Sequence, residues 1–312
     1  MRYYNLIITD PNTGAVLRQW TSFVNGVTIP GALNIELDVP TYTLAQPMGS
    51  AYVKIWGISI EDILQASDLN DMNIQLFAGM QAGLPLANPT QAGLILEGTI
   101  QQCFGNWQAE VQTLDIVALV SSGSATAPKN IVNIWPAGQP LATSIQNTLA
   151  VAFPDYTATI NISPNLVLAH DEPAYFQTLS QFAQFIKQAS QRIIGGTYNG
   201  VDIVIRNKEF LVYDGTTPTS PIALNFTDMI GQPTWIGPAT VQTRLVLRAD
   251  LQVSDYIQMP QGQQTLTAQS LARYRTNPTF QGVFQAIRVR HIGNFRQPDA
   301  NSWVTVVDAI ST

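Results

Sequence analysis

The sequence predicts a mainly β protein in which two antiparallel β-barrel domains flank an α+β middle domain. Three observations carry this. Residues 32–40, ALNIELDVP, alternate strictly, with Leu33, Ile35, Leu37 and Val39 on one face and Asn34, Glu36 and Asp38 on the other, the period of a half-buried strand. Residues 282–310 read as two strands: Val283, Ile287 and Val289 lie on one face, Val304 and Val306 on another, and a polar turn with Asn294, Pro298 and Asp299 joins them. Helical spacing of apolar residues over several turns is confined to the stretch between these, at 140–153 and 173–190.

The first domain, residues 1–120, opens as a hairpin around the turn residues Asp10-Pro11-Asn12-Thr13-Gly14. The strand at 32–40 ends at Pro40. SAYVKIWGIS at 50–59 is a further strand, and Ser59 can cap a short helix, IEDILQA, with Asp62 three residues on. Strands follow at 73–80, 94–102 and 108–118, and Gly98 inside one of them suggests a bulge or a close backbone approach.

Composition changes at SSGSATAPKN, 121–130, a linker that opens the middle domain, 121–221. Its first helix, Pro140 to Phe153, sets Leu141, Ile145, Leu149 and Ala152 on one face and stops at Pro154. The second, 173–190, is marked by Asp171 as its cap, Pro173 in its first turn and Gly195-Gly196 beyond its end. Phe176, Leu179, Phe182, Ala183 and Ile186 form its apolar stripe, and Gln177, Gln181, Gln184 and Gln188 lie opposite. An amide face where charge is usual reads as a contact surface. Strands VDIVIRN and KEFLVYD, joined at Asn207-Lys208, close the domain, and TTPTSP at 216–221 leads into the last one, 222–312.

Hydrophobic residues make up 46% of the 312 but charged residues only 12%, against roughly 25% in a typical soluble domain. So sparse a charge suits a protein that covers its surface with partners. A net charge of −6 speaks against a phosphate-binding surface, which needs clustered Lys and Arg. Cys103 is the only cysteine, which rules out an intrachain disulfide and a cysteine metal cluster; it reads as a buried small hydrophobe. The N-terminus lacks the apolar run of a signal peptide, and no stretch approaches the ~18 apolar residues that span a membrane.

The chain offers no GxSxG, GxxxxGK[ST], GxGxxG or HExxH motif, and the reading is of a protein that is not an enzyme, with no cofactor. His170, Asp171 and Glu172 could form a ligand set, but helix capping explains Asp171 more simply. His291 reads as a structural strand-end histidine. DLNDMN at 68–73 lacks the glycine and the closing glutamate of a calcium loop and is a turn. Arg273, Arg275, Arg288, Arg290 and Arg296 concentrate the positive charge, to be neutralised by solvent or internal salt bridges. Arg273 and Arg275, in the Gln-rich excursion from Met259 to Gly282, are instead expected to meet acidic residues of a neighbouring subunit.

IGQPTW at 230–235, FQAIRVRHIGNFR at 284–296 and WVTVV at 303–307, with VKIWGIS at 53–59 running into its short helix, resemble the baseplate hub proteins of contractile-tailed phages. Similar barrels form the upper part of type VI secretion spike proteins. The resemblance implies two tube-like barrels per chain and a homotrimeric, pseudo-six-fold ring. Such a ring adapts the hexameric tail tube to the trimeric central spike. It also implies other baseplate proteins as partners, DNA only as cargo passing the lumen, and a place in the virion after assembly in the host cytoplasm. A distal tail or tube-initiator protein is the alternative, and a carbohydrate-binding module using Trp20, Trp56, Trp107, Trp135, Trp235 and Trp303 a further one. A wall hydrolase would need a lysozyme-like segment, and no stretch resembles one.

Overall fold

The computed structural model describes residues 1–43, 50–80, 91–119, 130–196, 198–206, 209–216, 220–237, 239–260 and 282–311. The chain is mainly β, with a mixed α+β section in its middle. It divides into two compact units, one of Met1–Thr41, Gly49–Val120 and Ser220–Thr312, the other of Tyr42–Met48 and Ser121–Thr219.

In chain order, the first stretch holds β1 (Arg2–Thr9), β2 (Val16–Thr21), β3 (Phe23–Val24), β4 (Val27–Thr28), β5 (Asn34–Tyr42), β6 (Ser50–Trp56), α1 (Ile60–Leu64), β7 (Asn73–Met80), β8 (Gly93–Gln108) and β9 (Val111–Leu119). The middle holds β10 (Ile131–Trp135), α2 (Leu141–Ala152), β11 (Thr157–Asn161), β12 (Glu172–Phe176), α3 (Leu179–Ile194), β13 (Asp202–Arg206) and β14 (Glu209–Tyr213). The last stretch holds β15 (Ile222–Ala223), β16 (Thr234–Trp235), β17 (Thr240–Val246), β18 (Tyr256–Gln258), β19 (Val283–Asn294) and β20 (Trp303–Ser311).

The two β stretches share one sheet. Its order is β16-β17-β20-β19-β5-β6-β9-β8-β7-β1-β2, with β18 and β15 attached through β19. Among the described residues this is an open path, so the expected barrels appear as two sections of one sheet, joined edge to edge where β19 meets β5. Alternation buries one side: Ile35, Leu37, Val53, Ile55, Leu114 and Ile116 lie in a single core with Leu6, Ile74 and Leu76. Trp303 ties the C-terminal stretch into that core, donating from its indole nitrogen to the Gly79 carbonyl at 2.9 Å.

Local chemistry explains the elements. Asp10 accepts from the Asn12 and Thr13 amides and so turns the β1–β2 hairpin. Ser59 caps α1, accepting from the Asp62 amide. Pro40 does not end its strand, which runs on to Tyr42. Gly98 stays in register with Ile74; the irregularities in β8 flank it, opposite Leu76–Phe77 and between Ile100 and Gln102. In β19 the register shifts between Ala286 and Arg288, so Ile287 leaves the face of Val289.

In the second unit, β10 and β12 form an antiparallel ribbon, and β11, β14 and β13 a three-stranded sheet. The helix expected from 173 begins only at Leu179. Thr178 caps it in a box with Gln181, a better signal than Asp171 and Pro173, and residues 172–176 pair instead with β10. Asp171 accepts from the Ala137 amide at 2.8 Å. Phe176 still packs on the helix, its ring 5.6 Å from Phe182 and 5.1 Å from Phe185. The linker at 121–129 and the Asn207-Lys208 turn lie outside the described residues.

Candidate functional site

The face of the large sheet turned away from its core is polar and cross-linked from strand to strand. Arg288 stands opposite Asp308 across β19–β20, with nitrogen and oxygen 3.3 Å apart, and Gln242 of β17 donates to the same carboxylate at 2.8 Å. Arg290 grips Asp38 of β5 with two bonds, one of 2.7 Å, and Asn294 donates to Glu36 at 2.8 Å. Across β6 and β9, Lys54 lies 3.4 Å from Asp115. The same buried carboxylate takes hydrogen bonds from Tyr52, Asn106 and Thr113, the second at 2.7 Å and the third at 3.1 Å. Burial, and then the Asp115 bond, raises the Tyr52 pKa; for Asp115 the burial cost is outweighed by bonds from Tyr52 and Asn106 and the charge of Lys54, and its pKa falls.

Arg288 and Arg290 of the expected basic concentration are thus held in internal ion pairs, and Arg296 donates to the Pro30 and Ala32 carbonyls. Arg273 and Arg275 lie outside the described residues.

Beneath this face is a polar centre that sequence reasoning missed. Arg248 is 2% exposed and forks onto Asp250 with two bonds of 2.7 Å. Its other terminal nitrogen lies 3.3 Å from Asp228, which is 0% exposed and also accepts from Gln91 at 3.2 Å. Thr305 bonds the Arg248 backbone in both directions and lies 3.0 Å from His291 Nδ1. His291 is buried within β19, and burial pushes its pKa down to about 4, partly opposed by Asp250. The groups come from five separated segments. The only sequence trace of them is the Arg248-Ala249-Asp250 spacing, which sets two opposite charges two residues apart.

The remaining candidates do not converge. His170 and Asp171 are exposed, while Glu172 pairs with Arg192 at 2.9 Å. Among the described residues no group of three or more His, Cys, Asp or Glu is placed to hold a metal ion. Cys103 is buried and its thiol pushed up to about 12, first by burial and then by Asp115, which makes it inert. Gln181, Gln184 and Gln188 are exposed on α3, but the Gln181 side chain is engaged in the cap, accepting from the Gln177 and Thr178 amides; Gln177 precedes the helix. Trp135, Trp235 and Trp303 are core residues, Trp20 packs against the core, and Trp56 is half-buried with the Lys54 ammonium 4.9 Å from its ring centre, leaving Trp107 as an exposed ring. Such a surface can dock; its charges are used to pair strands. No described helix is long and apolar enough to cross a membrane.

No family model matches this sequence, and no curated protein does. The fold does match. The 43 kDa tail protein of prophage MuSo2 from Shewanella oneidensis aligns over 100% of this chain and 98% of its own, with a TM-score of 0.57 at 7% identity. A tail protein from Neisseria meningitidis aligns over 99% and 96%, with a TM-score of 0.50 at 8% identity. An E. coli component of the type VI secretion system, described as structurally similar to T4 bacteriophage tail proteins, aligns over 90% and 73%, with a TM-score of 0.51 at 10% identity. At these identities the likeness is one of fold, and the fold is that of phage tail proteins, as the resemblance in the sequence implies.

Proposed function

We propose that this chain is a structural, non-enzymatic component of a phage tail and works there as a baseplate hub. The observation that carries the reading is the end-to-end match in fold to a prophage tail protein, 100% of one chain on 98% of the other. In this reading three copies close a ring in which each supplies two sections of sheet, so that six similar sections meet the tail tube and three chains meet the spike. The edge-to-edge join of β19 with β5 inside one chain supports it, because neighbouring sections of such a ring must meet in the same way.

Partners are then other copies of the chain, the tube protein, the spike and further baseplate proteins, in a virion assembled in the host cytoplasm. DNA passes without sticking, because the polar sheet face pairs its cations with its own carboxylates. Gln184 and Gln188 on α3 and the segment carrying Arg273 and Arg275 meet neighbouring subunits. End-on views of the purified chain by electron microscopy test the reading. It requires a three-fold ring with six similar lobes around a channel; a ring of six chains would replace the hub with a distal tail component.

A further inference from the structure

The β10–β12 ribbon of the second unit packs one face into the core of that unit and turns an apolar face outward. Inward, Ile131, Asn133 and Trp135 are buried. Outward, the register sets Val132 directly opposite Tyr175 and Ile134 opposite Pro173, so the four side chains form one patch. Val132 is 43% exposed, Ile134 63% and Tyr175 79%. Single exposed apolar residues such as Val151 are ordinary, but a patch made contiguous by strand register is not. IVNIW has the pattern of a strand covered on both sides, and no described strand pairs the outer edge of either β10 or β12.

We propose that a second copy of this chain covers the outer face of the β10–β12 ribbon, with Ile134 and Tyr175 at the centre of the contact. The inference deepens the hub reading and rests on it for the number of copies. Charge argues for a copy as the occupant. Chains of net charge −6 repel one another, so they meet best where the surface is neutral. Strand β10 carries no charge, and Glu172, the one charged residue of β12, is held by Arg192 at 2.9 Å. Size argues the same way. The exposed fractions amount to roughly 400 Å² of apolar surface, about half of the ~800 Å² a side of a stable interface, which is the share expected of an apolar centre within a polar rim.

Two variants of the full chain test this. Ile134→Glu should weaken self-association by at least about 30-fold in sedimentation equilibrium, as a buried central anchor does, with unchanged far-ultraviolet circular dichroism. Tyr175→Cys adds a thiol whose maleimide labelling can be read alone, because Cys103 is buried. That thiol should label at least tenfold more slowly at concentrations where the chain is a trimer than after dilution to monomer. A trimer in which it labels at the monomer rate overturns the inference and leaves the hub reading standing, even if Ile134→Glu misfolds. Protection that arises only in tail particles reassigns the face to another protein and also overturns it. A wild-type chain that never associates overturns the hub reading as well.

Discussion

Replacing Arg248 by Met should destabilise the β-rich unit more than the loss of any surface ion pair. The substitution keeps most of the aliphatic volume and removes the charge that two carboxylates share. Asp250 is partly open to water and can be rehydrated. Asp228 is 0% exposed and keeps the Gln91 bond at 3.2 Å. Removing one partner of a buried pair costs about 3–5 kcal/mol, because the surviving buried group loses its opposite charge. For a unit of about 200 residues that corresponds to a fall in Tm of roughly 6–20 °C. The exposed pair Arg192–Glu172 sets the control: Arg192→Met should cost under about 1 kcal/mol. Scanning calorimetry of both variants measures the difference. If Arg248→Met cost no more than Arg192→Met, the buried centre would not hold the unit together as argued.

Three further outcomes follow from the same geometry. His291 has its pKa held near 4 in the folded state by burial, against about 6.5 unfolded. The unfolded chain therefore binds the extra proton between these values, and stability should fall by on the order of 3 kcal/mol as pH drops from about 6.5 to 4; His291→Gln should flatten that part of the urea-derived profile. A Cβ on Gly293 would sit 2.7 Å from the Trp303 ring and 2.8 Å from Leu37, so Gly293→Ala should cost about 1–3 kcal/mol by overpacking, read as a lower urea midpoint. Thr178→Ala should remove about 1 kcal/mol from the second unit by breaking the α3 cap, seen in the fluorescence of Trp135, the only tryptophan among residues 121–219.

Much of the fold is legible in the sequence where local chemistry decides it. The Asp10 turn, the Ser59 cap and the alternation through Ile35, Leu37 and Val39 form as their residues demand. The failures have particular causes. Strand β10 escapes a period-two reading because Val132 and Ile134 are apolar on its outer face. The start of α3 is misplaced because Asp171 and Pro173 imitate a helix start that the Thr178–Gln181 box overrides. The joining of the two β stretches at β19–β5, and the gathering of Gln91, Asp228 and His291 around the Arg248-Asp250 pair, bring together groups far apart in the chain, which no local pattern encodes.

The native mass of the purified chain, measured by sedimentation equilibrium over a concentration series, tests the central claim most directly. The hub reading predicts a species of three times 34.1 kDa, about 102 kDa, that dissociates only on dilution. A chain that stays at 34.1 kDa throughout, or one that closes as a six-chain ring, contradicts it.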